Sequence, residues 1–117
     1  MNAKLKPLAP LMCGIALALA GAVTPAAAAI DAEAAQALAK KNDCFKCHAI
    51  DKEKKGPSYK KIAAKYKGKP DGEDKAIKNM TVASKVKLDD GTEDDHKVIN
   101  TKDMAAIKNL AAWILSQ

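Results

Sequence analysis

The sequence predicts an all-α fold of three or four helices joined by long loops. Apolar residues recur at three- and four-residue spacing behind residues that cap helices, and no sustained strand alternation interrupts them. Composition adds a third observation. Aromatic residues make up 3% of the 117 positions against a hydrophobic fraction of 48% built mostly of Ala, Leu, Ile and Val. Such a core lacks large rings, so something else must fill its centre.

In chain order, Lys4 and Lys6 precede an apolar run from Leu11 to Val23, broken only by Gly14 and Gly21 and closed by Thr24, Pro25 and four alanines. This is the layout of a secretory signal peptide over residues 1–29, with cleavage expected between Ala29 and Ile30. The run is too short to span a bilayer and no second one follows, so no stable membrane insertion is expected. Cys13 lies at the start of the run and leaves with it, without a lipid anchor. The folding unit is then residues 30–117, one domain of 88 residues, near the length below which an apolar core needs a staple.

Asp31 is the expected cap of a first helix ending near Lys41, with acids in its first turn and lysines in its last. A loop runs from Asn42 to Pro57. Ser58 caps a second helix, in which Tyr59, Ile62, Ala63 and Tyr66 share a face read as core, and Gly68 stops it. Asp71 opens a third through Ala76, Ile77 and Met80. Thr81 to Asn100 shows no period of either kind beyond a turn at Asp89-Asp90-Gly91, and an irregular loop of that length is expected to be functional or disordered. Thr101 is the expected cap of a last helix whose stripe includes Ile107, Leu110, Ala111 and Ile114, with Trp113 packing beside it.

Charge divides the domain. Lys40 to Lys69 holds eleven lysines and three acids, whereas Pro70 to Asp103 holds six lysines and nine acids. The net +4 of residues 30–117 thus conceals a +8 segment and a −3 segment. Every cation is Lys, which disfavours the bidentate recognition that nucleic-acid binding uses and suits screened, steering electrostatics. No nucleic-acid partner is expected.

Two cysteines remain in the domain, too close together to close a useful loop. They form Cys44-Phe45-Lys46-Cys47-His48. Two thiols three positions apart with an imidazole next to them suit addition to the two vinyl groups of one haem, with His48 under the iron. Other readings of the motif are a thioredoxin-like dithiol, which would need a βαβ pattern, a zinc-stapled binding module drawing on His48 and His96, and a plain disulfide. A covalent haem would also supply the large flat apolar body that the core lacks.

The chain resembles the small monohaem class I cytochromes c of bacterial periplasms. The resemblance is carried by Cys44 to Ile50, by Gly56-Pro57-Ser58-Tyr59, by Ile62 to Tyr66, by Ile77-Lys78-Asn79 and by Leu110-Ala-Ala-Trp113-Ile-Leu, and it spans nearly all of residues 31–117. It implies the cytochrome c fold, one covalent haem c with its iron on Cys44 and Cys47, His48 as proximal ligand, and a Pro57 carbonyl that orients His48. It also implies a periplasmic, monomeric one-electron carrier with no catalytic residue.

The sequence departs from that family at the sixth iron ligand. With Thr101 as cap, the window that ordinarily holds a methionine holds Asp95-His96-Lys97-Val98. His96 is therefore the expected distal ligand, with Met80 and then Met104 as alternatives, Met104 reading otherwise as core filler beside Ile107. A second imidazole would lower the reduction potential relative to a thioether. Lys46, Lys54, Lys55, Lys60 and Lys61 are candidates for docking redox partner proteins with acidic surfaces. The alternative function is a haem sensor or peroxidase-like protein with a displaceable distal ligand.

Overall fold

The computed structural model describes residues 21–22 and 29–117. The leader expected over residues 1–29 lies outside them but for Gly21, Ala22 and Ala29.

Helix α1, Ala32–Lys41, starts where Asp31 accepts the Ala34 N–H at 2.9 Å, with Glu33 in its first turn and Lys40 and Lys41 in its last. Its inward residues, Ala35 and Ala39, carry only a methyl group and are fully buried. That lets α1 lie close on α4, Met104–Leu115, which turns Ile107, Leu110, Ala111, Trp113 and Ile114 inward. Asn109 locks the pair in both directions. Its Oδ1 accepts the Asp31 N–H at 2.9 Å, and its Nδ2 donates to the Asp31 carbonyl at 2.8 Å.

Helix α2, Tyr59–Tyr66, is capped by Ser58, whose hydroxyl accepts the Lys61 N–H at 3.1 Å. It is followed by Gly68 in the left-handed region at φ 75°. Helix α3, Gly72–Thr81, follows at once. Gly72 is buried where any Cβ would strike the Tyr66 carbonyl, and this close approach between the two helices requires glycine. Both α2 and α3 also pack on α4, so α4 is the common floor of the core. Ile62 joins that core in part, but Tyr66 does not. Its hydroxyl accepts from Asn79 Nδ2 at 3.3 Å on the α3 side, and Lys65 lies over its ring.

Two further sequence expectations are corrected. The stretch from Thr81 to Asn100 contains a hairpin, with β1 (Lys85–Lys87) antiparallel to β2 (Glu93–Asp95). Lysines face acids across it, Lys85 opposite Asp95 and Lys87 opposite Glu93. Charge pairs rather than apolar alternation join the strands, which is why no period of two was visible. The expected turn does connect them, with Gly91 at φ 84°. Second, α4 is capped by Asp103, whose carboxylate accepts the N–H groups of Ala105 and Ala106, and not by Thr101, whose hydroxyl accepts the Asp103 N–H at 3.1 Å. Met104 thereby opens the helix and is 49% exposed, so it fills no core.

Candidate functional site

Asp43, in the left-handed region at φ 59°, turns the chain out of α1 into a single 3-10 turn, Cys44–Lys46. The N–H groups of Cys47 and His48 both return to the Cys44 carbonyl. The two thiols are half-buried and unbridged. Burial pushes the Cys44 thiol above its ordinary pKa.

The loop after the motif folds back to hold His48. The Gly56 N–H donates to the Cys47 carbonyl at 2.9 Å, which brings the Pro57 carbonyl within 2.6 Å of His48 Nδ1. A carbonyl only accepts, so Nδ1 carries the proton and Nε2 keeps its lone pair. Burial lowers the imidazole's pKa first of all, the bond to Pro57 opposes it, and the nearby His96 adds to the lowering. Tyr59 stacks on the ring at 5.5 Å and 30°. Gly56 leaves the room for it, since a Cβ there would lie 2.8 Å from His48 Cε1.

His96 follows β2 and faces His48, with ring centroids 6.2 Å apart and planes inclined at 55°. Its backbone N–H donates to the Ser84 carbonyl, and the Ile99 N–H donates to the Met80 carbonyl, both at 2.8 Å. The Asn100 N–H donates to Asn42 Oδ1 at 2.7 Å, and Lys97 Nζ donates to Asp43 at 2.8 Å. His96 Nδ1 is buried without a partner, which leaves Nε2 as the accessible nitrogen. Of the two methionines named from the sequence, Met80 packs partly buried against the core and Met104 faces solvent.

Leu38, Phe45, Ile62, Ile77 and Met80 pack against the buried core but are only partly covered. Phe45, Tyr59 and Trp113 meet edge to face, with centroids 5.3 to 6.4 Å apart. The Tyr59 hydroxyl is buried there without a hydrogen-bond partner, and burial raises its pKa.

The cytochrome c family profile matches residues 32–117. The chain belongs to the cytochrome c family. It is similar to cytochrome c-551 of Azotobacter vinelandii, 35% identical over 88 residues that cover 72% of this chain and 98% of the relative. It is also similar to cytochrome c-551 of Pseudomonas aeruginosa, at 30% over 74% of this chain and 79% of the relative. Among solved structures it resembles the class 1 cytochrome MtoD of Sideroxydans lithotrophicus ES-1. That likeness has a TM-score of 0.72 and 57% identity over 75% of this chain and 97% of that one. This cytochrome is accordingly an electron carrier with one covalently attached haem c and its iron. A haem removes the zinc and thioredoxin-like readings of the cysteine motif.

The residues present fit such a group. A metal–imidazole bond is about 2 Å long, so two rings whose centroids lie 6.2 Å apart leave space for one metal ion between them. The partly covered apolar side chains leave surface that a flat apolar ring would cover. Among the described residues, no helix is long and apolar enough to cross a membrane.

Three features of the site were not read from the sequence. One is the room Gly56 leaves for His48, for which the Gly-Pro pair was the available signal. Another is Asn42, 4% exposed, whose long-range partner has no local signature. The third is the pairing of the lysines around the motif. Lys46 pairs with Asp43, Lys61 pairs with Glu53, and Lys54 Nζ donates to the Phe45 carbonyl. Among the described residues, Lys55 and Lys60 side chains make no ion pair or hydrogen bond.

Proposed function

We propose that this cytochrome is a soluble, monomeric one-electron shuttle of the bacterial periplasm. In this reading Cys44 and Cys47 bear the haem thioethers, His48 is the proximal ligand and His96 the distal one. The observation that carries it is the pair of imidazoles facing each other at 6.2 Å, one of them oriented by the Pro57 carbonyl. The bound haem supplies an iron that alternates between ferric and ferrous states and so stores one electron. Cys44 and Cys47 would hold the group, and the Pro57 carbonyl fixes the His48 tautomer and raises its basicity. With His48 and His96 both holding the iron, no coordination position would be left for a substrate and no side chain need act as acid or base. An electron would then be exchanged without a bond to the partner, and the protein is not an enzyme. Lys55 and Lys60, free of internal pairing, are the docking charges for partners with acidic surfaces, in the brief contacts that turnover favours.

His96→Ala tests the ligand set. The expected result is loss of the low-spin spectrum at rest and fast binding of cyanide or carbon monoxide. A low-spin spectrum kept in full by that variant would overturn His96 and return the distal role to Met80. Immediate cyanide binding by the unaltered protein would favour the sensor or peroxidase-like reading instead.

A further inference from the structure

We propose that Asn42 and Asp43, the two residues ahead of Cys44, are positioning residues for the distal ligand, latching the strap of residues 96–100 to the haem-attachment segment. The inference rests on the assignment of His96 made above.

The two imidazoles are held differently. His48 is fixed through its own ring by the Pro57 carbonyl, whereas His96 has no partner on its buried Nδ1. The place of the His96 ring therefore depends on the backbone that carries it. Two ties of that strap, from His96 to Ser84 and from Ile99 to Met80, run to the hairpin's approach and to α3, on its own side of the site. The other two cross to the attachment segment and end on Asn42 and Asp43.

Asn42 is suited to the task. Its Nδ2 is committed to the Leu38 carbonyl at 2.9 Å, so its Oδ1 must face the Asn100 N–H, 58 residues away in sequence. The amide cannot turn over without losing both bonds. Asp43 holds Lys97, the neighbour of His96, and also Lys46. That ion pair is exposed and weak, so the buried Asn42 bond is the stronger half of the latch.

Cyanide binding to the ferric holoprotein measures the latch, because cyanide enters only as His96 leaves. Asn42→Leu is expected to keep a low-spin resting spectrum and to bind cyanide roughly 10- to 100-fold faster, the usual scale for loss of a group that supports a metal ligand. Lys97→Gln is expected to bind it a few-fold faster, an effect that high salt removes. Asn109→Ala, which loosens α1 and α4 at the other end of α1, lowers the melting temperature and leaves the cyanide rate alone. Where Asn42→Leu fails to fold, Asn42→Ser, whose shorter side chain withdraws from Asn100, is read by the same criterion. A cyanide rate unchanged in the Asn42 variant, or raised as much by Asn109→Ala, overturns the latch. If His96→Ala also leaves the rate unchanged, it is the ligand assignment that fails.

Discussion

An alanine at position 56 would place its methyl 2.8 Å from His48 Cε1, 3.2 Å from Nδ1 and 3.3 Å from the Cys47 carbonyl. Carbon atoms rest about 3.5–4.0 Å apart, so the imidazole must give way by roughly 0.7 Å. Gly56 is not in the left-handed region, and the cost of Gly56→Ala therefore lies in this contact and not in the backbone. A ring displaced that far stretches the 2.6 Å bond to the Pro57 carbonyl past about 3.2 Å, where little of it remains. The net worth of such a bond is about 1 kcal/mol. With His48 on the iron as proposed, the bond makes the imidazole a better electron donor and favours ferric iron, so its loss should raise the reduction potential, by at most about 40 mV if the whole of that energy is felt in the ferric state alone. Overpacking of about 1–3 kcal/mol should also lower the melting temperature by several degrees. Spectroelectrochemical titration and thermal melting of the holoprotein check both numbers. A potential within about 10 mV of the parent, with unchanged melting, would refute the reading of Gly56 as the residue that makes room for the proximal ring.

Trp113 is 4% exposed and meets both Tyr59 and Phe45 edge to face, so Trp113→Ala should cost about 3–5 kcal/mol in denaturant unfolding, and a loss below about 1 kcal/mol would remove it from the core. Asp43 has its carboxyl pKa held below the ordinary 3.8, chiefly by its hydrogen bonds from Lys97 and Lys46. The folded state thus binds that proton less readily than the unfolded one, and the stabilisation is complete above pH 3.8 and lost as pH falls through the lowered value. Melting curves taken from about pH 5 to pH 2 should fall less steeply for Asp43→Asn than for the parent, and parallel curves would count against the ion pair.

Much of the arrangement was legible because it is written locally. Asp31 and Ser58 announce their helices through a side chain that reaches three residues on, and Cys44 to His48 announces its chemistry in five consecutive positions. Thr101 and Asp103 are both competent caps, and only the packing of α4 decides between them. With Asp103 as cap, His96 lies seven residues ahead of it and not five. The hairpin was illegible because its cross-strand partners are lysines and acids on two exposed faces, where burial imposes no alternation. Tyr66 had the right spacing for the core, but its polar end finds Asn79 instead. Asn42 looked like a helix terminator, and its second role depends on a partner that no local pattern could name.

The exchange of hydrogen bonds between Asp31 and Asn109 spans 78 positions. The alanine stripe of α1 consequently has no floor to lie on until α4 has been made, and at ordinary rates of synthesis that delay is several seconds. Pairing at such separation is slow to form even once the whole chain is present. Throughout that interval the motif Cys44 to His48, which lies between the two helices in sequence, sits on a chain whose terminal helices are not yet paired. The contact between the first and last helices is thus the last that synthesis makes possible, and it closes the fold over everything that lies between them.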